Sequence, residues 1–228
     1  MAKKKKDTEE IKIKPRPKIK APHKPTKVHK DRRQYSRKGK YLDGLMQEML
    51  QEMDAGFREK TGKYSLWLMP EDHTYAWLYG LILKLSKKYA TATFEPHITL
   101  IGELTGYEDE IIAITSQLAT MINPCTITLT KIEYLDEFFR CLFIKAEETE
   151  EIMKGHEKAR ILFDIVSKDK YVPHLSLMYG NVHSEIKKAI ITEIGRDLNV
   201  SFEVNAIHLF STEGEPTDWY RVAKFTLK

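Results

Sequence analysis

Two stretches of the sequence match each other: "FEPHITLIG", residues 94–102, and "YVPHLSLMYG", residues 171–180. In each, a proline precedes a histidine, which is followed by an aliphatic residue, a hydroxyl residue, a leucine and, a few positions on, a glycine. A β-strand turns residues i and i+2 to the same face. His97 and Thr99 therefore share one face, with Ile98 and Leu100 turned to the core. His174 and Ser176 do the same against Leu175 and Leu177. Pro96 and Pro173 fall at the strand starts, where a missing N–H is tolerated. Each copy thus reads as an imidazole beside a hydroxyl on the polar face of a short strand.

The elements around the two copies set the fold class. "YSLWLM" (64–69) reads as a strand closed by Pro70, followed by a helix over 72–90 and then the first motif strand. Ile111, Ile114, Leu118 and Ile122 mark one face of a helix over 108–122. "CTITLTKIEYL" and "FFRCLFIKA" (125–135 and 138–146) read as two strands of a hairpin with Asp136 and Glu137 near the turn. A helix over 148–166 leads into the second motif strand. A short helix over 184–196 precedes the strand "VSFEVNAIHLFST" (200–212), and "WYRVAKFTLK" (219–228) ends the chain as a further hairpin strand. Strands and helices intermix with two hairpins, so the class is α+β rather than a regular parallel α/β sheet. Both motifs follow helices, which makes the repeat one of architecture as well as of sequence.

Composition limits what lies outside this body. With 228 residues, 42% of them hydrophobic, the chain is long enough for one sizeable core, and no apolar run approaches the ~20 residues of a membrane helix. The basic start "MAKKKK" is followed by no apolar segment, so no secretory signal is expected, and cytoplasm or nucleus is the expected compartment. Cys125 and Cys141 lack metal-ligand spacing and read as unpaired thiols. The net charge of +4 hides a division: residues 1–40 hold 17 Lys or Arg against 4 Asp or Glu, a net +13, leaving −9 on the remainder. Pro15, Pro17, Pro22 and Pro25 forbid a continuous helix there, and residues 1–40 read as a disordered basic arm. Such an arm suits a tether to RNA or another acidic surface, or a solubilising or nuclear-import segment. From 41 to 62, Leu42, Leu45, Met46, Met49, Leu50, Met53 and Phe57 recur at helical spacing as an amphipathic helix or linker. The globular domain is expected over 63–228.

Two motif strands laid side by side bring two imidazoles together across a cleft, with a hydroxyl beside each. That set fits a phosphodiester. One imidazole removes a proton from water while the other protonates the leaving sugar oxygen. The hydroxyls of Thr99 and Ser176 hydrogen-bond the non-bridging oxygens, and the scheme calls for no metal or other cofactor. The remaining histidines, His23, His29, His73, His156, His183 and His208, lack this context and read as surface or packing residues.

The pair "PHITL" and "PHLSL" resembles the signature of the 2H phosphoesterase superfamily, named for two His-x-Thr/Ser-x motifs. "YSLWLMP", "FEPHITLIG", "FFRCLFI", "YVPHLSLMYG" and "DWYRVAKFTL" occur in the order seen in plant and fungal cyclic nucleotide phosphodiesterases. The resemblance covers about residues 63–228. It implies a two-lobed α+β fold with pseudo-twofold symmetry and a central cleft. The implied reaction is hydrolysis of a nucleoside 2′,3′-cyclic phosphate or of ADP-ribose 1″,2″-cyclic phosphate. It also implies His97 and His174 as the acid–base pair, Thr99 and Ser176 as phosphate binders, and Trp67 and Tyr171 as aromatic borders of the substrate site. Two other readings stand beside this one. The same cleft would serve RNA 2′,3′-cyclic ends or cyclic oligonucleotide signals, with the arm gripping the polyanion. A non-enzymatic RNA-binding adaptor on the same scaffold is the third reading, and the intact quartet argues against it.

Overall fold

The computed structural model describes residues 61–166 and 169–228. The basic arm (1–40) and the expected 41–62 helix, up to residue 60, lie outside the described residues. The described chain runs β1 (Gly62–Leu68), α1 (Asp72–Tyr89), β2 (Ile98–Gly106), α2 (Glu108–Ala119), β3 (Cys125–Glu133) and β4 (Leu142–Ala146). It continues through α3 (Glu150–Leu162), β5 (His174–Met178), α4 (Ser184–Ile194), β6 (Asp197–Val204), β7 (Ala206–Ser211) and β8 (Tyr220–Thr226).

The eight strands form one sheet in the order β6-β3-β4-β5-β2-β1-β7-β8, with every pair antiparallel. The order divides into halves of four strands that meet where β5 lies beside β2. Each half holds the same unit: a strand, a helix, and a motif strand antiparallel to the first. In one half this is β1-α1-β2 and in the other β4-α3-β5. A pseudo-twofold thus runs between β2 and β5. The α+β class and its two lobes follow from this arrangement.

Connectivity also requires the sheet to curl. Residues 200–212 read as one strand in sequence, yet they break at Asn205 into β6, which pairs with β3, and β7, which pairs with β1. In the strand order β6 and β7 stand six places apart. Val204 and Ala206 are only two Cα steps apart, at most about 7.6 Å. A flat sheet would separate them by about 29 Å at ordinary strand spacing. The sheet therefore bends round on itself as a half-barrel.

Burial follows the alternation. Ile98, Leu100, Leu175 and Leu177 are at most 1% exposed and belong to the main core with Leu78 and Ile82 of α1 and Ala159 of α3. Helix α3 starts at a threonine cap, the Thr149 hydroxyl accepting the Ile152 N–H. Element ends differ from the sequence reading at one place that matters for the site. The sequence places residues 138–141 in the strand that becomes β4, whereas the structure holds them in the β3–β4 loop. That loop is tied at three levels. The Lys187 ammonium, buried on α4, donates to the Leu135 carbonyl at 2.9 Å and to Asp136 at 2.7 Å. The Arg140 carbonyl accepts from the Leu135 N–H, and the Phe138 carbonyl from the Gly180 N–H at 2.9 Å. Gly180 takes φ +139°, open to glycine and strained for other residues. The motif's closing glycine thus anchors the loop above the second histidine.

Candidate active site

The register between the motif strands determines what each imidazole faces. Ile98 pairs with Leu175, so their neighbours pair in crossed fashion on the opposite face: His97 lies beside Ser176, and Thr99 beside His174. Each histidine therefore sits next to the other motif's hydroxyl. The two imidazoles are near enough for the charge of His174 to depress the basicity of His97.

Both imidazoles are held in the same way. His97 Nδ1 is 2.6 Å from the Glu95 carbonyl oxygen, and His174 Nδ1 is 2.7 Å from that of Val172, in each case two residues back. A carbonyl only accepts, so Nδ1 carries the proton in both rings. That fixes the neutral tautomer and leaves each Nε2 lone pair free for chemistry. Among the described residues the Thr99 hydroxyl has no hydrogen-bond partner, while that of Ser176 donates to the Phe139 carbonyl at 2.9 Å.

The aromatic surroundings of the two rings differ. Trp67, cross-strand from Thr99, lies flat on His97 with ring centroids 3.6 Å apart and a 7° tilt. Phe210 stacks on its other face at 3.8 Å. Its indole N–H donates to the Ser65 hydroxyl at 2.8 Å, which fixes the ring orientation. Phe143 holds the corresponding place in the other half, cross-strand from Ser176, and meets His174 edge-on at 5.1 Å and 65°. His97 is 5% exposed, and burial pushes its pKa down to about 3. Burial also lowers that of His174, followed by the positive charge of Arg140, against the Val172 carbonyl and Glu137, which raise it.

Tyr171 is placed behind the first motif. Its hydroxyl donates to the Thr99 carbonyl at 3.0 Å, and its ring stacks on His156 at 3.9 Å. His156 in turn donates from Nδ1 to the Leu100 carbonyl at 2.7 Å. Together they clamp the backbone of β2 where it carries Thr99. The aromatic residue over the second motif is Tyr179. Strict alternation assigns it to the face opposite Ser176, and the sequence reading passes over it. In the structure Phe143 pairs with Ser176 but Leu142 with Met178, so Leu177 is an extra residue that shifts the alternation. Tyr179 is thereby turned to the Ser176 side, where the two hydroxyls interact. It stacks on Phe94 at 3.8 Å and adjoins Phe139 and Trp219. A tyrosine five residues after the histidine is the only sequence signal for it.

Among the described residues, no group of three or more His, Cys, Asp and Glu is arranged to hold a metal ion, and no helix is long and apolar enough to cross a membrane. Cys125 and Cys141 are unpaired.

A curled antiparallel sheet with paired His-x-Thr/Ser strands at its pseudo-twofold defines the 2H phosphoesterase class. Within it the chain belongs to the family described as "Cyclic phosphodiesterase-like protein", whose profile matches residues 63–227. This is a family of phosphoesterase enzymes. The chain is 26% identical over 161 residues to the cyclic phosphodiesterase of Arabidopsis thaliana, a match covering 68% of this chain and 88% of that protein. Among solved structures, E. coli LigT complexed with 3′-AMP superposes with a TM-score of 0.55 at 15% identity, covering 74% of this chain and 99% of that one. TT0787 of Thermus thermophilus superposes with a TM-score of 0.54 at 17% identity, covering 72% and 97%.

Proposed function

We propose that the protein hydrolyses a cyclic phosphate on a nucleotide, a nucleoside 2′,3′-cyclic phosphate or ADP-ribose 1″,2″-cyclic phosphate, by metal-independent acid–base catalysis between His97 and His174. The crossed register carries this reading. It puts each imidazole, its Nε2 free of protein partners, next to the hydroxyl of the other motif, which supports a shared site for one phosphate. A cyclic phosphodiester placed there receives a hydrogen bond on one non-bridging oxygen from the Thr99 hydroxyl, and on the other from Ser176 once that hydroxyl turns away from the Phe139 carbonyl.

The difference between the rings supports a division of roles. Burial pushes the pKa of His97 down, which favours the neutral ring and suits it to the part of the base. Its Nε2 takes a proton from water as the water oxygen bonds to phosphorus. The bond from phosphorus to one ring oxygen breaks, and that oxygen takes the proton from Nε2 of protonated His174. His174 is more open to solvent, has Glu137 within electrostatic reach, and gains basicity when the phosphate anion binds beside it. The product is a phosphomonoester with one sugar hydroxyl restored.

A nucleoside has a natural place beside His97. Trp67, Phe94, Glu95, Phe210 and Trp219 line a pocket of about 170 Å³. E. coli LigT, which shares the fold, has been crystallised with 3′-AMP, ATP and NADP+. The two unpaired thiols suit a reducing compartment such as the cytoplasm.

A second substrate reading, RNA 2′,3′-cyclic ends or cyclic oligonucleotides, is favoured by the +13 charge of residues 1–40. One experiment covers both. The full chain and a chain starting at Lys40 are offered a panel of cyclic mononucleotides, ADP-ribose 1″,2″-cyclic phosphate and RNA with a cyclic end, with products identified by phosphorus NMR. Equal turnover of a mononucleotide by both proteins is expected, with salt-sensitive RNA affinity lost on truncation. No hydrolysis of any cyclic phosphate would overturn the assignment.

A further inference from the structure

The motifs are related by the pseudo-twofold, but the strands beyond them are not alike. Past β2 the cleft face carries Trp67 and Phe210. Past β5 it carries lysines. Lys145 on β4 pairs directly with His174, and Lys131 on β3 pairs directly with Lys145. Like charges directly opposite one another weaken an antiparallel pair, so two lysines in register call for a reason.

Nearby carboxylates account for one of them. Glu133 is 3.7 Å from the Lys131 ammonium, and Asp197 pairs with Lys131 from β6. Lys145 is different. Glu148 feels its charge, but that carboxylate is held by Lys170 at 2.8 Å. Among the described residues the Lys145 ammonium makes no hydrogen bond or ion pair, and the side chain is half-buried. Arg140, the other cation near His174, is held by Glu137 at 2.7 Å. An uncommitted cation therefore stands one strand, about 5 Å, from the strand of His174, with a second lysine about 5 Å beyond.

We propose that Lys145, backed by Lys131, forms a second anion subsite that binds a phosphoryl group of the substrate other than the cyclic one. The inference rests on the hydrolase reading above and narrows its substrate class. A substrate bearing a further phosphate, as a 5′-phosphate or within a diphosphate, is preferred over a bare nucleoside cyclic phosphate. The cyclic phosphate lies between the histidines and the second charge points toward β4.

The test compares a nucleoside 2′,3′-cyclic phosphate, its 5′-phosphorylated counterpart and ADP-ribose 1″,2″-cyclic phosphate on the full-length protein. A charge-assisted contact is worth about tenfold or more in affinity. The wild type should favour a phosphorylated substrate by about that factor, through KM, and less so as salt rises. Lys145→Gln should bring the ratio to within about twofold, and Lys145→Arg should keep most of it. Preference shared by both phosphorylated substrates identifies any neighbouring phosphoryl group as the ligand; preference confined to ADP-ribose 1″,2″-cyclic phosphate identifies a diphosphate. A ratio near one in the wild type, or one unchanged in Lys145→Gln, overturns the subsite. Calorimetric binding of a nucleoside 3′,5′-bisphosphate against the 3′-monophosphate separates this from the reaction itself. If nothing is hydrolysed but the bisphosphate binds more tightly in a Lys145-dependent way, the reaction fails and the subsite stands. If the bisphosphate has no advantage, the subsite fails.

Discussion

Replacing Trp67 by Leu tests what keeps His97 neutral. Trp67 covers one whole face of the imidazole at 3.6 Å, and its effects on the ring have opposite signs. As an apolar cover it excludes water and disfavours the imidazolium. As an aromatic face it attracts a cation, worth about 1–2 kcal/mol when desolvated. The displacement of His97 from 6.5 to about 3 corresponds to roughly 5 kcal/mol, with burial as its first cause and the Glu95 carbonyl opposing it. Exclusion of water therefore outweighs the aromatic attraction. Uncovering one of two ring faces should return on the order of 2 kcal/mol of that penalty, while loss of the aromatic face removes about 1 kcal/mol. The net expectation is a rise in the His97 pKa of about one unit. Leu keeps much of the apolar volume, so the loss of stability should stay below the 3–5 kcal/mol typical of truncating a core Trp to Ala. NMR titration of the imidazole ring and the acid limb of the kcat/KM profile should both move up by about one unit. A downward shift would mean that the indole acts mainly as a cation partner. A wild-type His97 titrating near 6.5 would refute the burial argument at its root.

The remaining predictions bear on the same quartet. His97→Ala and His174→Ala should each lower turnover by about 10²-fold or more in a folded protein, the usual range for a lost general acid or base; near wild-type turnover in either variant would remove it from the mechanism. Activity should survive excess chelator, since the proposed mechanism takes its acid, base and phosphate donors from side chains; loss in chelator with recovery on adding a divalent ion would contradict this. Stability should fall between pH 6.5 and 5. His97 and His208 have folded pKa values pushed by burial to about 3 and about 4, so the unfolded chain binds more protons in that window and stability rises with pH. At pH 5 each contributes about 2 kcal/mol of destabilisation relative to pH 7, and urea midpoints at the two pH values provide the check.

The quartet was legible because strand alternation is strict where nothing interrupts it. Pro-His-x-hydroxyl-Leu fixes which two side chains share a face, and two copies fix that the faces meet. Legibility failed where the alternation shifts or the chain crosses the fold. The extra Leu177 in β5 moves Tyr179 to the Ser176 side, and a bulge carries no residue signature when neither neighbour is glycine. The run 200–212 reads as one strand, because Asn205 is a weak breaker and only the closure of the sheet makes β6 and β7 part company there. Phe138 and Phe139 carry strong strand propensity, yet contacts from Gly180, Ser176 and Lys187 hold them in a loop. Tertiary contacts decide all three, and local pattern contains none of them.

A symmetric pair of motifs poses a chemical problem, because hydrolysis needs one imidazole neutral and the other protonated. Identical surroundings would give two rings of equal basicity that repel each other's charge. The flanking strands break this equivalence. Trp67 and Phe210 seal His97 in an apolar stack, whereas His174 meets Phe143 only by its edge and lies in register with Lys145. Shared backbone anchors at Glu95 and Val172 keep the geometry of the two rings equal, so the asymmetry acts on proton affinity rather than on aim. The charged side then needs something to favour the imidazolium, since burial and Arg140 both lower the pKa of His174. A bound phosphate supplies it, and a second phosphate at Lys145 would add negative charge on the same side of the cleft. The acid would then be charged only when substrate is in place, which ties protonation of His174 to occupancy of the cleft.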